Sequence, residues 1–94
     1  MSDADRVRAH VYVSGRVQGV YYRASTRDKA REAGVDGWVR NLDDGRVEAV
    51  FEGPNAAVDA MTEWCETGSR AAEVEAVDVT TEPPDGIQGF EVRW

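Results

Sequence analysis

A chain of 94 residues holds one domain with one modest core and has little room for a second. Hydrophobic residues at 41% and charged residues at 31% are a globular composition, no apolar run approaches the ~20 residues of a membrane span, and the start MSDADRVRAH lacks the basic and apolar stretches of a secretory signal. Eleven basic against 18 acidic residues leave a net charge of −7, which argues against general nucleic-acid binding, and Cys65 alone excludes an internal disulfide and cannot build a zinc site by itself.

These bounds describe a cytoplasmic protein that meets neither membrane nor nucleic acid, a single domain over residues 1–94. Ten of the 11 basic residues are arginine, and Lys29 is the only lysine. Many carboxylates with almost no lysine fit a surface suited to high salt. They fit equally an ordinary acidic protein with arginine-rich codon usage, because net charge bears on solubility and not on fold.

In chain order, VRAHVYV (7–13) alternates, with Val7, Ala9, Val11 and Val13 on one face and Arg8, His10 and Tyr12 on the other, the pattern of a half-buried strand. GRVQG follows as a loop. Tyr22, Thr26, Ala30 and Ala33 then form a helical stripe, and Gly34 stands where a helix ends in a left-handed residue. VDGWVRN (35–41) is a second strand, LDDG carries the Asp-Gly hairpin signal, and RVEAVFE (46–52) returns. Gly53-Pro54 opens a second helix with Val58, Met61 and Cys65 on its apolar face, ended by Gly68. EVEAVDVTT (73–81), the turn PPDG and FEVRW (90–94) complete the chain. Helices set between strands that include a hairpin indicate an α+β, ferredoxin-like split βαβ sandwich. Its antiparallel sheet of four to five strands carries both helices on one face.

GRVQGVYYR (15–23) lies between the first strand and the first helix. The backbone N–H groups of a first helical turn have no internal partners, and the helix dipole adds partial positive charge there. Gly15 and Gly19 let successive N–H groups converge, and Arg23 brings a planar, permanently charged fork that matches phosphate oxygens. Together these are the parts of a phosphate cradle. On pattern alone the plainer reading also stands, a glycine turn beside a solvated arginine, since short glycine motifs match many loops. Asn41, just before the hairpin turn, is a common turn starter. It is also a neutral amide able to hold a water without repelling a phosphate.

GRVQGVYYR followed by GWVRNLDDGRVE (37–48) resembles the signature pair of the acylphosphatase family, and the resemblance runs from Val7 to Trp94, including the ending GFEVRW. It implies the same ferredoxin-like fold and a hydrolase for acyl phosphates. The loop of Gly15, Arg16, Val17, Gln18, Gly19 and Val20 would bind the phosphate through its N–H groups. Arg23 would clamp it, and Asn41 would orient the attacking water. The implied partners are a small acyl phosphate as substrate and inorganic phosphate as product and inhibitor, handled by a monomer. The carboxylate of an acyl phosphate leaves without protonation, so the reaction asks for positioning and charge stabilisation. No cofactor and no metal is expected, since no residue cluster has metal-ligand spacing and Asp43 and Asp44 are explained as turn residues. The chain departs from the family in Tyr22, where phenylalanine usually precedes the arginine, and in Ser69, where proline is frequent. A buried hydroxyl at Tyr22 needs a partner, and Ser69 bears on the rigidity of the loop before the fourth strand.

The remaining polar and aromatic residues read as structural. His10 is a strand-packing or surface residue, Cys65 a core residue, and Trp38, Trp64 and Trp94 pack. Arg40 with Arg46 and Asp43 with Asp44 read as solvated hairpin surface. Two other classes share this strand order. An RNA-binding module would stack bases on sheet aromatics, for which only Tyr12 and Trp38 serve and the charge is unsuited. A regulatory module would bind phosphate without turnover, as in larger proteins that handle carbamoyl phosphate. A chain ending at Trp94 fits the free-standing enzyme better.

Overall fold

The computed structural model describes residues 6–93, so residues 1–5 and the packing expected of Trp94 lie outside it. β1 (Arg6–Arg16) buries Ala9, Val11 and Val13 against the helices and turns Arg8, His10 and Tyr12 to the opposite face. The strand runs past the 7–13 segment that its alternation marks, so Gly15 and Arg16 belong to the sheet and not to the loop. The cause is a bulge against β4 between Ser14 and Gly15. At Gly15 φ is 121°, and a Cβ there would fall on the carbonyl oxygen of Glu73, so only glycine lets the two backbones approach this closely.

α1 (Tyr22–Ala33) buries Tyr22, Thr26 and Ala30. Ala33, placed in the apolar stripe by spacing, is exposed instead. The left-handed Gly34 turns the chain at that point, its N–H donating to Ala30 O and Arg31 O. Val35 N–H donates to Ala30 O at 2.9 Å, and Val35, 2% exposed, takes the core position that Ala33 vacates. Thr26 is tolerated in the core because its hydroxyl donates to Tyr22 O at 2.7 Å.

β2 (Asp36–Asn41) and β3 (Val47–Pro54) form the hairpin. Leu42 N–H donates to Arg46 O at 2.8 Å, leaving a three-residue loop, 43–45, with Gly45 at φ 96°. That loop length sets the register. Arg40 stands opposite Glu48 and binds it at 2.6 Å, so it does not pair with Arg46, whose guanidinium binds Asp44 at 2.8 Å. α2 (Asn55–Thr67) starts directly after Pro54 and buries Val58, Met61 and Cys65. The hydroxyl of Tyr22 donates to Cys65 O at 2.8 Å, which gives this buried oxygen its partner.

β4 (Glu73–Glu82) and β5 (Phe90–Arg93) complete a five-stranded sheet in the order β4-β1-β3-β2-β5, with both helices packed on one face of it. The ferredoxin-like expectation holds, with one adjustment. β1, β2, β3 and β4 pair antiparallel, but β5 joins β2 in parallel, so the sheet is mixed. Phe90 anchors β5 by stacking on Phe51 at 5.8 Å between centroids, and each such buried aromatic contributes about 1.5–3 kcal/mol. The register also places Asn41 on the helix side, since it pairs with core residue Val47 while its strand neighbour Val39 pairs with Ala49.

Candidate active site

The segment between β1 and α1 is held at several points. The side chains of Val17 and Val20 are in the core, at 1% and 6% exposure. Val17 N–H donates to Gly15 O at 3.1 Å, closing a tight turn at the strand end. Gln18 sends both amide hydrogens across to the hairpin, to Leu42 O at 2.7 Å and Arg46 O at 2.9 Å. Both partners are carbonyls, so the side-chain nitrogen and not the oxygen must face them. Ser69 Oγ donates to Val20 O at 2.7 Å from the turn before β4.

Gly19 has φ 73° with open space where a Cβ would stand, and Tyr21 is left-handed at φ 60° with its ring 83% exposed. A non-glycine residue in that conformation costs about 1–2 kcal/mol, so the fastenings on both sides hold a strained turn. The first helical hydrogen bond runs from Ser25 N–H to Tyr21 O. No oxygen of the described residues accepts from the N–H groups of residues 18–22. These five donors lie at the start of α1, where the helix dipole adds partial positive charge.

Arg23 projects from the first turn of α1, half-buried, with Nη1 3.4 Å from Arg93 O on β5. Asn41 closes β2, one residue before Leu42, whose carbonyl holds Gln18. Its Oδ1 is buried and meets no donor among the described residues. A buried acceptor in that state costs about 1–3 kcal/mol. The Gln18 contacts thus join the loop and the Asn41 hairpin, and Arg23 follows the loop directly in the chain. Gly15 and Arg16 contribute the strand end, while Val17 contributes an anchor whose N–H already has an acceptor.

Three supporting contacts are not legible in the sequence. Gln18 as a brace, Ser69 as an anchor and the Arg23 contact to β5 all depend on long-range placement. A long amide between two buried valines is the one hint for Gln18. His10, placed as a packing or surface residue, lies on the sheet face away from the helices. Its Nε2 is 2.6 Å from Glu48 and its Nδ1 2.8 Å from Glu82. Burial opposes its charging, but hydrogen bonds to Glu82 and Glu48 outweigh that and raise its pKa above the ordinary value. Trp38 lies on the same face, with Arg93 over its ring at 4.8 Å and Arg40 at 5.4 Å. The buried Cys65 thiol is pushed up to about 12 by loss of solvent, which suits an inert core residue. Among the described residues no three His, Cys, Asp or Glu side chains are grouped to hold a metal ion, and no helix is long and apolar enough to cross a membrane.

The chain as a whole is similar to known proteins. The acylphosphatase family model matches residues 9–92. An acylphosphatase of Natronomonas pharaonis is 70% identical over 90 residues, covering 96% of this chain and 98% of that protein. One of Haloarcula marismortui is 69% identical over 87 residues, covering 93% of this chain and 96% of that protein. The solved structure of an acylphosphatase from Coxiella burnetii superposes with a TM-score of 0.94 at 38% identity, covering 99% of this chain and 98% of that one. The match spans the loop, Arg23, Asn41 and every strand but the outer ends, so the chain belongs to the acylphosphatase family.

Proposed function

We propose that the chain hydrolyses acyl phosphates through a site in which Arg23 and the loop amides hold the phosphoryl group and Asn41 holds the attacking water. The oxygen of that water bonds to phosphorus as the bond from phosphorus to the carboxylate oxygen breaks. The carboxylate leaves without needing a proton. One hydrogen of the water passes to a phosphate oxygen and the other stays, giving dihydrogen phosphate, so no separate general base is required. Arg23 and the amides stabilise charge on the equatorial oxygens, which is where phosphoryl transfer gains most from fixed positive groups.

The observation that supports this reading is the buried Oδ1 of Asn41, which meets no donor among the described residues and stands one residue before Leu42, whose carbonyl the loop holds through Gln18. An oxygen in that position accepts from a water without adding negative charge near the phosphate. The reading assigns no role to a metal or cofactor and describes a monomeric cytoplasmic enzyme. Its acidic surface is read as salt-adapted, which the identity to haloarchaeal relatives supports. The test is turnover of acetyl phosphate with and without a chelator, for the unaltered chain and for Arg23→Ala. Turnover is expected to be independent of the chelator and to fall by at least a hundredfold in the variant. Phosphate binding without turnover would favour a regulatory module instead.

A further inference from the structure

Ser69 is buried at 8% exposure, and its hydroxyl reaches across 49 positions of sequence to Val20 O at 2.7 Å. The residue it touches is the last of the loop, directly before the left-handed Tyr21. The Val20–Tyr21 peptide bond is trans and planar, as no cis peptide bonds are present among the described residues. In a trans peptide the C=O and the following N–H point in opposite directions. Holding Val20 O inward on Ser69 therefore turns Tyr21 N–H outward, among the donors the site offers an anion.

We propose that Ser69 is a positioning residue for the phosphate cradle, fixing the Val20–Tyr21 peptide so that Tyr21 N–H donates to the bound phosphoryl group. The inference rests on the phosphate site described under Proposed function. A proline at 69 has no hydroxyl to offer Val20 O, so this fastening depends on the serine that the chain carries. Ala72 N–H donates to Ser69 O at 3.0 Å, which keeps the turn around Ser69 in place independently of the side chain. Removing the hydroxyl then frees one peptide of the cradle without dismantling the turn that carries Ser69.

The experiment compares the unaltered chain with Ser69→Ala and Ser69→Thr. Inhibition by inorganic phosphate, kcat and KM for acetyl phosphate, and thermal midpoint are measured for each. In parallel, ¹H–¹⁵N spectra of the unaltered chain are recorded during phosphate titration. Ser69→Ala is expected to weaken phosphate inhibition and kcat/KM each about tenfold, the scale of one lost hydrogen bond to a charged group. Ser69→Thr, which keeps the hydroxyl, is expected to recover most of that loss. The Tyr21 amide is expected to be among the most strongly shifted on phosphate addition. Phosphate affinity and kcat/KM within twofold of the unaltered chain in Ser69→Ala would overturn the proposal while leaving the site assignment standing. So would a Tyr21 amide that phosphate does not move, a result available even if Ser69→Ala fails to fold. If the unaltered chain neither binds phosphate nor turns over, the site assignment falls, and this proposal with it.

Discussion

Replacing Gln18 separates the brace from the rest of the loop. Its amide is the only side-chain link described between the loop and the hairpin that ends β2, at 2.7 Å to Leu42 O and 2.9 Å to Arg46 O. Each carbonyl keeps a second donor, because Gly45 N–H reaches Leu42 O at 3.2 Å and Leu42 N–H reaches Arg46 O at 2.8 Å. Gln18→Ala therefore leaves no orphaned acceptor and removes two net hydrogen bonds, about 1–3 kcal/mol in all, with the low end favoured. For a domain of this size each kcal/mol moves the thermal midpoint by about 4–8 °C. Gln18→Glu has nearly the same shape but points a carboxylate at two carbonyl oxygens. Its folded-state pKa is raised by that repulsion, so its stability is retained below the unfolded carboxyl value and lost as pH rises through the folded one. The assay is differential scanning fluorimetry of both variants from pH ~4 to ~8, with acetyl phosphate turnover at each pH. Gln18→Glu should match Gln18→Ala near the acid end and fall below it near neutrality, and both should lose kcat as the hairpin uncouples from the loop. A Gln18→Glu variant as stable as the unaltered chain at neutral pH would show that the amide does not bridge the two segments.

His10 should make stability pH-dependent from the open face of the sheet. The groups facing it are Glu48 on β3, Glu82 on β4, and Arg8 and Tyr12 on its own strand, with Trp38 of β2 edge-on at 6.3 Å. Its raised pKa gives stability that is complete below the ordinary histidine value of 6.5 and lost as pH rises through the folded value. The midpoint difference between the unaltered chain and His10→Gln should shrink over that interval, and a constant difference from pH ~5 to ~9 would contradict the ion pairs. The excess of seven negative charges should make sodium chloride stabilising, because at ~1 M the screening length falls to ~3 Å and repulsion between exposed carboxylates fades. Sodium phosphate at matched ionic strength should stabilise and also inhibit; a thermal midpoint that falls with sodium chloride would remove the salt-adapted reading.

Local chemistry makes much of this architecture readable. The alternation of β1, the stripe of Tyr22, Thr26 and Ala30, and the Asp-Gly turn each report on neighbours within a few residues. The strand, the helix and the hairpin they indicate are all present in the fold. The direction of β5 is not readable, because a parallel pairing with β2 depends on how residues 83–89 cross the end of the sheet. The carboxylate of Glu52, fully buried, accepts from Asp85 N–H and Gly86 N–H at 2.7 Å each, a contact no local pattern announces. The extension of β1 through Gly15 is hidden because the glycine that looks like a loop residue serves a close backbone approach. Of the residues proposed for the site, Arg23 and Asn41 are visible through their motif. Gln18 and Ser69 are visible only as residue types, since their partners lie 24 and 49 positions away.

In the proposed site Arg23 and the loop amides bind the anion while Asn41 holds the water, and Asn41→Ala separates the two roles. Acetyl phosphate turnover and inhibition by inorganic phosphate are measured on the same preparation. In Asn41→Ala kcat should fall by about a hundredfold or more, the range for loss of one preorganised polar group, while phosphate inhibition weakens only slightly. A variant that loses phosphate affinity yet keeps its kcat would contradict this division of roles.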